Sequence, residues 1–101
     1  MSDFDLVIKN GRVVIPYIGV SEVDIGITNG KITAIESSIA SGRAKEEINA
    51  AGKAVFPGAV DVHYHIGIYH PIEEDAENET RSSLVGGVTT VVSYFRSGSH
   101  Y

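Results

Sequence analysis

Residues 57–67 read PGAVDVHYHIG and place two histidines one residue apart inside a valine-rich run. Histidine is costly to bury without a polar partner, whereas β-branched residues in such runs are typical of strands. Residues two apart on a strand share a face, so Asp61, His63 and His65 are predicted to lie on one side and the apolar residues on the other. The stretch therefore predicts a strand that separates a polar, reactive face from a packing face.

The histidine pair has two interpretations. Two imidazoles at neighbouring positions of one face can converge on a single metal ion, and a nearby carboxylate can support them. Alternatively, one histidine is a hydrogen-bonded core residue and the other a surface residue, since two ligands alone do not make a tight metal site. The spacing leaves both open. His70, in a predicted loop, and His100, near the end of the chain, are expected not to bind metal.

The sequence after this strand predicts one helix and a second strand. Residues 71–84 are polar and acidic, with a proline at the expected helix start and a glycine pair at its end. Residues 88–95 form a β-branched run typical of a buried strand. Strand, helix and strand make a βαβ unit with parallel strands. Two such strands and one helix are not a finished fold, so the chain is expected to be a fragment.

Side chains in this second half supply further candidates. Tyr94 and Arg96 come where the second parallel strand should end, and ligand-binding groups collect at the carboxyl ends of such strands. An acidic cluster in the helix is expected to form a solvated face that favours the positive end of the helix dipole; its members are Glu73, Glu74, Asp75, Glu77 and Glu79.

The first half predicts short strands joined by turns. Asn10-Gly11 and Asn29-Gly30 are strong hairpin signals, and strand-like residues flank each of them. Two hairpins are therefore expected, at residues 4–15 and 23–35. Residues 37–45 are polar and small and predict a surface connection, and residues 47–50 predict a short edge strand.

Composition excludes several classes of function. The chain has 101 residues, a net charge of −5 and basic residues scattered singly, so neither nucleic acid nor an anionic membrane surface is an expected partner. There is no cysteine, which rules out disulfides and thiolate chemistry. An acidic start and the lack of a long apolar run predict a cytoplasmic protein without a membrane segment.

Four stretches together resemble the amino-terminal part of the amidohydrolase superfamily: DLVIKNGRVV, VDIGITNGKITAI, INAAGKAVFPGAVDVHYH and SSLVGGVTTVVSY. Within it they resemble the cyclic amidohydrolases, which are hydantoinase, dihydropyrimidinase, allantoinase and dihydroorotase. The resemblance implies an α/β fold with an all-β part. Residues 1–53 would be strands of a partial β-sandwich domain, and residues 54–101 the first strand-helix-strand unit of an incomplete (β/α)8 barrel.

The resemblance also implies a function. The chain would be the amino-terminal portion of a zinc-dependent hydrolase that cleaves the C–N bonds of small cyclic amides or ureides with a metal-activated hydroxide. His63 and His65 would bind the more buried of two zinc ions, with Asp61 supporting them. The other ligands and the catalytic aspartate would come from later strands. The chain alone is therefore expected to be inactive and to bind zinc weakly or not at all, and the complete enzyme to be a homo-oligomer.

Substrate preference rests on Gly67, two residues after the histidine pair. Dihydroorotases usually have an arginine there, allantoinases often an asparagine, and hydantoinases and dihydropyrimidinases usually an acidic residue; Tyr64 also stands where a small residue is common. A hydantoinase- or dihydropyrimidinase-like enzyme is expected by elimination. The alternatives are an allantoinase-type enzyme, a non-catalytic dihydropyrimidinase-like scaffold protein, and a natively short chain completed by another polypeptide docked on the second parallel strand.

Overall fold

The computed structural model describes residues 2–94. It contains two compact units, Met1–Pro57 and Gly58–Tyr101. The described residues are mostly in strands, with one helix, as the sequence predicts. The elements are β1 (Phe4–Ile15), β2 (Gly19–Thr28), β3 (Lys31–Glu36), β4 (Ala44–Asn49), β5 (Ala54–Val55), β6 (Ala59–Tyr64), α1 (Ile72–Val85) and β7 (Val88–Ser93).

The first unit is a single five-stranded sheet in the order β3-β2-β1-β4, with β5 also paired to β1. β1 pairs with β2, and β2 with β3, in antiparallel fashion. β4 and β5 both run parallel to β1, alongside its first and second halves. Residues 54 and 55 therefore pair within the first sheet, although the predicted barrel segment begins at residue 54.

The predicted hairpin at Asn10-Gly11 is wrong. β1 continues through these residues as one strand, with an extra residue between its paired positions Ile8 and Gly11. Asn10 adopts a left-handed backbone with φ +61°, and its N–H donates to the Asp24 carboxylate at 2.8 Å. The dipeptide makes a β-bulge because Asp24 accepts the amide that the bulge leaves unpaired. The chain turns later, at residues 16–18, where the N–H of Ile18 donates to the Ile15 carbonyl.

The second predicted hairpin is confirmed. Asn29 and Gly30 have φ +51° and +72°, the pair of positive values that a two-residue turn of this hand requires. The connection after β3 departs from expectation at one residue, because the Ile39 side chain is only 1% exposed and packs with Phe4 and Val7. A connection predicted to lie on the surface therefore supplies part of the core. The strand after it begins at Ala44, earlier than predicted.

A buried carboxylate joins this connection to the bulge. Asp24 is 3% exposed and accepts the backbone N–H groups of Asn10 and Ile39, each at 2.8 Å, with the Lys9 ammonium 3.7 Å away. Burial acts to raise the pKa of Asp24, but the two amide hydrogen bonds and the Lys9 charge outweigh it and hold the pKa below its ordinary value. Asp24 is therefore a charged structural centre of the sheet.

The second unit is the predicted βαβ arrangement, with β6 and β7 parallel and α1 between them in the chain. Pro71 precedes the first helical turn, which carries three acidic residues, and Gly86 ends the helix. β7 ends at Ser93, so Tyr94 is not part of the strand as predicted, and the last predicted strand residue, at 95, lies outside the described residues. The described part of the chain has no helix with the length and apolar character needed to span a membrane.

Candidate metal centre

The two histidines of the Asp-x-His-x-His stretch meet in the second unit. His63 lies near the carboxyl end of β6 and His65 directly follows that strand. Their Nε2 atoms are 2.9 Å apart, and the rings meet edge to face with centroids 4.8 Å apart. Both residues are exposed. The strand periodicity thus places two ring nitrogens at one point on the surface.

The His65 ring is held from its other side. Its Nδ1 lies 3.0 Å from the Tyr94 carbonyl oxygen, at the end of the neighbouring parallel strand. A carbonyl can only accept, so this bond requires the proton on Nδ1, and the His65 Nε2 then accepts from the Nε2–H of His63. A hydrogen bond of this kind commonly orients a metal-binding imidazole.

The distance between the two nitrogens can be compared with that in a zinc site. Zinc is bound by histidine nitrogen at about 2.0–2.1 Å in tetrahedral sites, which puts two ligand nitrogens about 3.3 Å apart. The two Nε2 atoms here are 2.9 Å apart, which is closer than that. Among residues 2–94, no three His, Asp or Glu side chains converge on one point. The described residues therefore bring together two imidazoles, fewer than the three or four protein ligands of a zinc site.

Asp61 contacts the backbone of the pair and not its rings. Its Oδ1 accepts the backbone N–H of His63 at 3.0 Å. This bond fixes the direction of the strand at the first histidine. Among the described residues, no other hydrogen bond to the Asp61 carboxylate is seen.

Of the two residues predicted at the end of the second strand, the structure brings Tyr94 to the histidines. Its ring centroid is 4.9 Å from that of His63, in addition to its carbonyl contact with His65. Arg96 lies outside the described residues, as does His100. His70 is exposed and lines a cavity of about 470 Å³ together with His65, Ile68, Tyr69, Asp75 and Glu79.

One member of the acidic cluster is not solvated. Glu73, Glu74, Glu77 and Glu79 are exposed as expected, but Asp75 is buried, and its Oδ2 accepts the N–H of Gly67 at 2.8 Å. Helical spacing does not single it out, because Glu79, one turn further along the same face, is exposed. On the same face, the Ser83 hydroxyl lies 2.8 Å from the Tyr64 hydroxyl.

Comparison with known proteins gives consistent results. The chain is 40% identical over 93 residues to D-hydantoinase from Ralstonia pickettii, covering 89% of this chain and 20% of that protein. It is 44% identical over 87 residues to allantoinase from Desulfitobacterium hafniense (strain Y51), covering 86% of this chain and 19% of that protein. No protein-family model matches. The chain thus spans about a fifth of the length of the curated relatives it matches.

Solved structures agree with these relatives. L-hydantoinase (dihydropyrimidinase) from Arthrobacter aurescens superimposes with a TM-score of 0.77 at 36% identity, over 89% of this chain and 20% of that one. N-acyl-D-glutamate deacylase from Bordetella bronchiseptica, solved with zinc and a phosphonate inhibitor, gives 0.73 at 28% identity over 89% and 18%.

By these similarities the chain matches the amidohydrolase superfamily over about a fifth of its relatives' length. Within that class it corresponds to the amino-terminal part of the cyclic amidohydrolases, the group that contains hydantoinase and allantoinase.

Proposed function

We propose that this chain is the amino-terminal portion of a zinc-dependent hydrolase that opens cyclic amide bonds, and that His63 and His65 are two of its metal ligands. The observation that carries the proposal is the 2.9 Å approach of their Nε2 atoms at the carboxyl end of a parallel strand. Sites of barrel enzymes collect at that end of their strands. The zinc-bound structural relative supports the choice of metal.

When bound, zinc would supply Lewis-acid activation of the ring carbonyl and of the attacking water. The residues of this chain would hold the ion and orient the side chains that bind it. His63 and His65 would bind the ion through their Nε2 atoms, the Tyr94 carbonyl accepts the Nδ1–H of His65, and Asp61 accepts the backbone N–H of His63. No group among the described residues is proposed to transfer a proton to substrate, so the chain alone should be inactive.

The architecture we propose follows the relatives. Because residues 54 and 55 pair in the first sheet, the division falls after Pro57: the first unit forms part of a β-sandwich domain, and the second begins a (β/α)8 barrel. The first-unit sheet and the parallel β6–β7 pair are the features that support this division. Two zinc ions in the complete enzyme, a cytoplasmic location and homo-oligomeric assembly remain predictions.

Gly67 favours a substrate that has no carboxylate for a side chain at this position to bind. It is buried, has φ +77° and offers no side chain. An arginine there would give dihydroorotate a two-point partner, which a glycine cannot do. Hydantoin, dihydrouracil and allantoin are therefore the proposed substrate class. Allantoin stays in that class because the 44% identical relative is an allantoinase.

The test uses the product of the complete reading frame. Zinc content is measured by mass spectrometry in the wild type, in His63→Ala and in His65→Ala, and hydrolysis is assayed with hydantoin, dihydrouracil, allantoin and dihydroorotate. We expect zinc in the wild type, hydrolysis of at least one of the first three compounds, and at least tenfold weaker zinc binding in each variant, because each removes a ligand.

His70→Ala is the matched control, since it removes an exposed imidazole from the loop that follows. It should keep its zinc. Full zinc occupancy in both His63→Ala and His65→Ala would contradict the metal assignment. A zinc-loaded wild type that hydrolyses none of the cyclic amides would contradict the activity and favour a scaffold protein.

A further inference from the structure

The chain after His65 is tied to the helix by one buried hydrogen bond. The Gly67 N–H donates to Asp75 Oδ2 at 2.8 Å, and both residues are buried. Asp75 is the buried residue of α1, in a helical turn whose other acids are exposed. Burying a carboxylate is unfavourable unless a donor is supplied, and the Gly67 N–H supplies one here.

A second bond from the same helix holds the chain on the other side of His65. The Tyr64 and Ser83 hydroxyls are 2.8 Å apart, and the Ser83 hydroxyl also lies 2.8 Å from the Glu79 carbonyl. Because the single Ser83 proton goes to that carbonyl, the Tyr64 hydroxyl is the donor to Ser83. Residues 64 and 67 are thus fixed to α1, and His65 lies between them.

The backbone at Gly67 explains why an anchor is needed there. With φ +77°, Gly67 bends the chain sharply as it leaves the strand. Such a bend has no strand partner to accept its amide, and without Asp75 the Gly67 N–H would be buried and unpaired. Relaxation of the loop would move His65. The ring of His65 would then lose its hydrogen bond to the Tyr94 carbonyl and its close contact with the His63 ring.

We infer that Asp75 is a positioning residue for the metal centre: by holding Gly67 it fixes the backbone that carries His65 and so sets the direction of the His65 Nε2 atom. This inference rests on the proposed zinc site. Asp75 does not bind the metal or the substrate; it acts through the loop. Removing Asp75 should therefore change the geometry of the metal ligands more than it changes the free energy of unfolding of the protein.

The first measurement is metal binding in the complete protein. Zinc affinity is determined by competition with a chelator, and the cobalt-substituted protein is examined by visible absorption. Asp75→Ala should weaken zinc binding about 10–100-fold, the usual cost of removing a group that orients a ligand, and should change the cobalt spectrum. Asp75→Asn keeps an acceptor oxygen and should recover most of the affinity. Glu74→Gln, an exposed acid of the same helical turn, should behave as wild type.

The second measurement needs no metal. In histidine-selective ¹⁵N spectra of the metal-free protein, Asp75→Ala should shift the His65 ring nitrogens away from the Nδ1-protonated pattern, whereas Glu74→Gln should not. Wild-type zinc affinity in Asp75→Ala, or unchanged His65 signals while the Gly67 amide exchanges faster, would overturn the inference. A wild type that binds no zinc would overturn the proposed function instead, and the ¹⁵N comparison would still decide whether Asp75 positions His65.

Discussion

The two units of the chain are stabilised in different ways. In the first unit, Phe4, Val7 and Ile39 are 8% exposed or less and pack against one another. In the second unit, Val60 and Val62 are 57% and 63% exposed, and among its described residues only Gly67 and Asp75 are buried. The first unit has an apolar core, whereas the second is held by strand pairing and by specific hydrogen bonds.

This difference shows that apolar sequence and burial are separate properties. β6 and β7 are as rich in valine as a buried strand, yet a two-stranded sheet with one helix cannot cover them. Polar contacts are nevertheless formed in the second unit, between His63 and His65 and between Gly67 and Asp75.

The largest expected effect tests the core of the first unit. Phe4→Ala should lower the free energy of unfolding by about 3–5 kcal/mol, because it removes a buried aromatic ring. Val62→Ala, in the exposed strand of the second unit, should change it by less than about 0.5 kcal/mol. Urea denaturation of this chain measures both. Equal losses of unfolding free energy in the two variants would show that the second unit has a core of its own, and the two units would then be stabilised in the same way.

Asp24→Ala should lower the free energy of unfolding by about 2–3 kcal/mol at pH 7, since two backbone N–H groups lose their acceptor. The folded pKa of Asp24 is below its ordinary value of 3.8, so its stabilising contribution is complete above about that pH and is lost as pH falls through the lower folded pKa. The difference in free energy of unfolding between the wild type and Asp24→Ala should therefore become smaller in acid. Glu36→Ala, at an exposed acid of the same sheet, is the control; a gap that widened in acid would contradict the charged assignment.

Gly26→Ala should lower the free energy of unfolding by about 1–3 kcal/mol, because an added Cβ would lie within 3.0 Å of ring carbons of Phe4. Denaturation of the single variants and of the Gly26→Ala/Phe4→Leu pair measures the coupling. The smaller side chain should relieve the clash, so the pair should lose less than the sum of the single losses. Additive losses would mean that the close approach does not limit packing.

The smallest effect concerns the second unit. Tyr64→Phe should cost about 0.5–1.5 kcal/mol, since it removes the donor to Ser83 from a partly buried pair. Thermal unfolding of Tyr64→Phe, Ser83→Ala and the double variant measures it, and the double variant should be little worse than either single one. A loss of the size expected for Phe4→Ala would mean that this hydrogen bond stabilises more than its own unit.

Local signals in the sequence predicted the features that depend on neighbouring residues. Asn29-Gly30 forms its turn because both residues have positive φ, and strand periodicity brought His63 and His65 together. Asn10-Gly11 is the same dipeptide, but only its asparagine is left-handed. The reason is Asp24, fourteen residues away, which accepts the Asn10 amide and stabilises a bulge in place of a turn.

Two parts of the candidate site could not be predicted in this way. The Tyr94 group that contacts His65 is a backbone carbonyl, which every residue has and no side-chain pattern reveals. Asp75 is one of several acids in the helix, and only its buried hydrogen bond from the Gly67 N–H distinguishes it. In both cases the deciding contact depends on how separate elements of the second unit come together.

The parallel pairing of β1 with β4 has a consequence for how the chain folds. Phe4 is paired with Ala44 and Lys9 with Asn49, so this edge closes across about forty residues, whereas the β2–β3 turn closes across two. Closing a long loop costs more entropy and proceeds more slowly than forming a hairpin. During synthesis the hairpin should form first, and one edge of β1 should stay open until residues 44–49 leave the ribosome. That interval is when the strand is most exposed to pairing with another nascent chain.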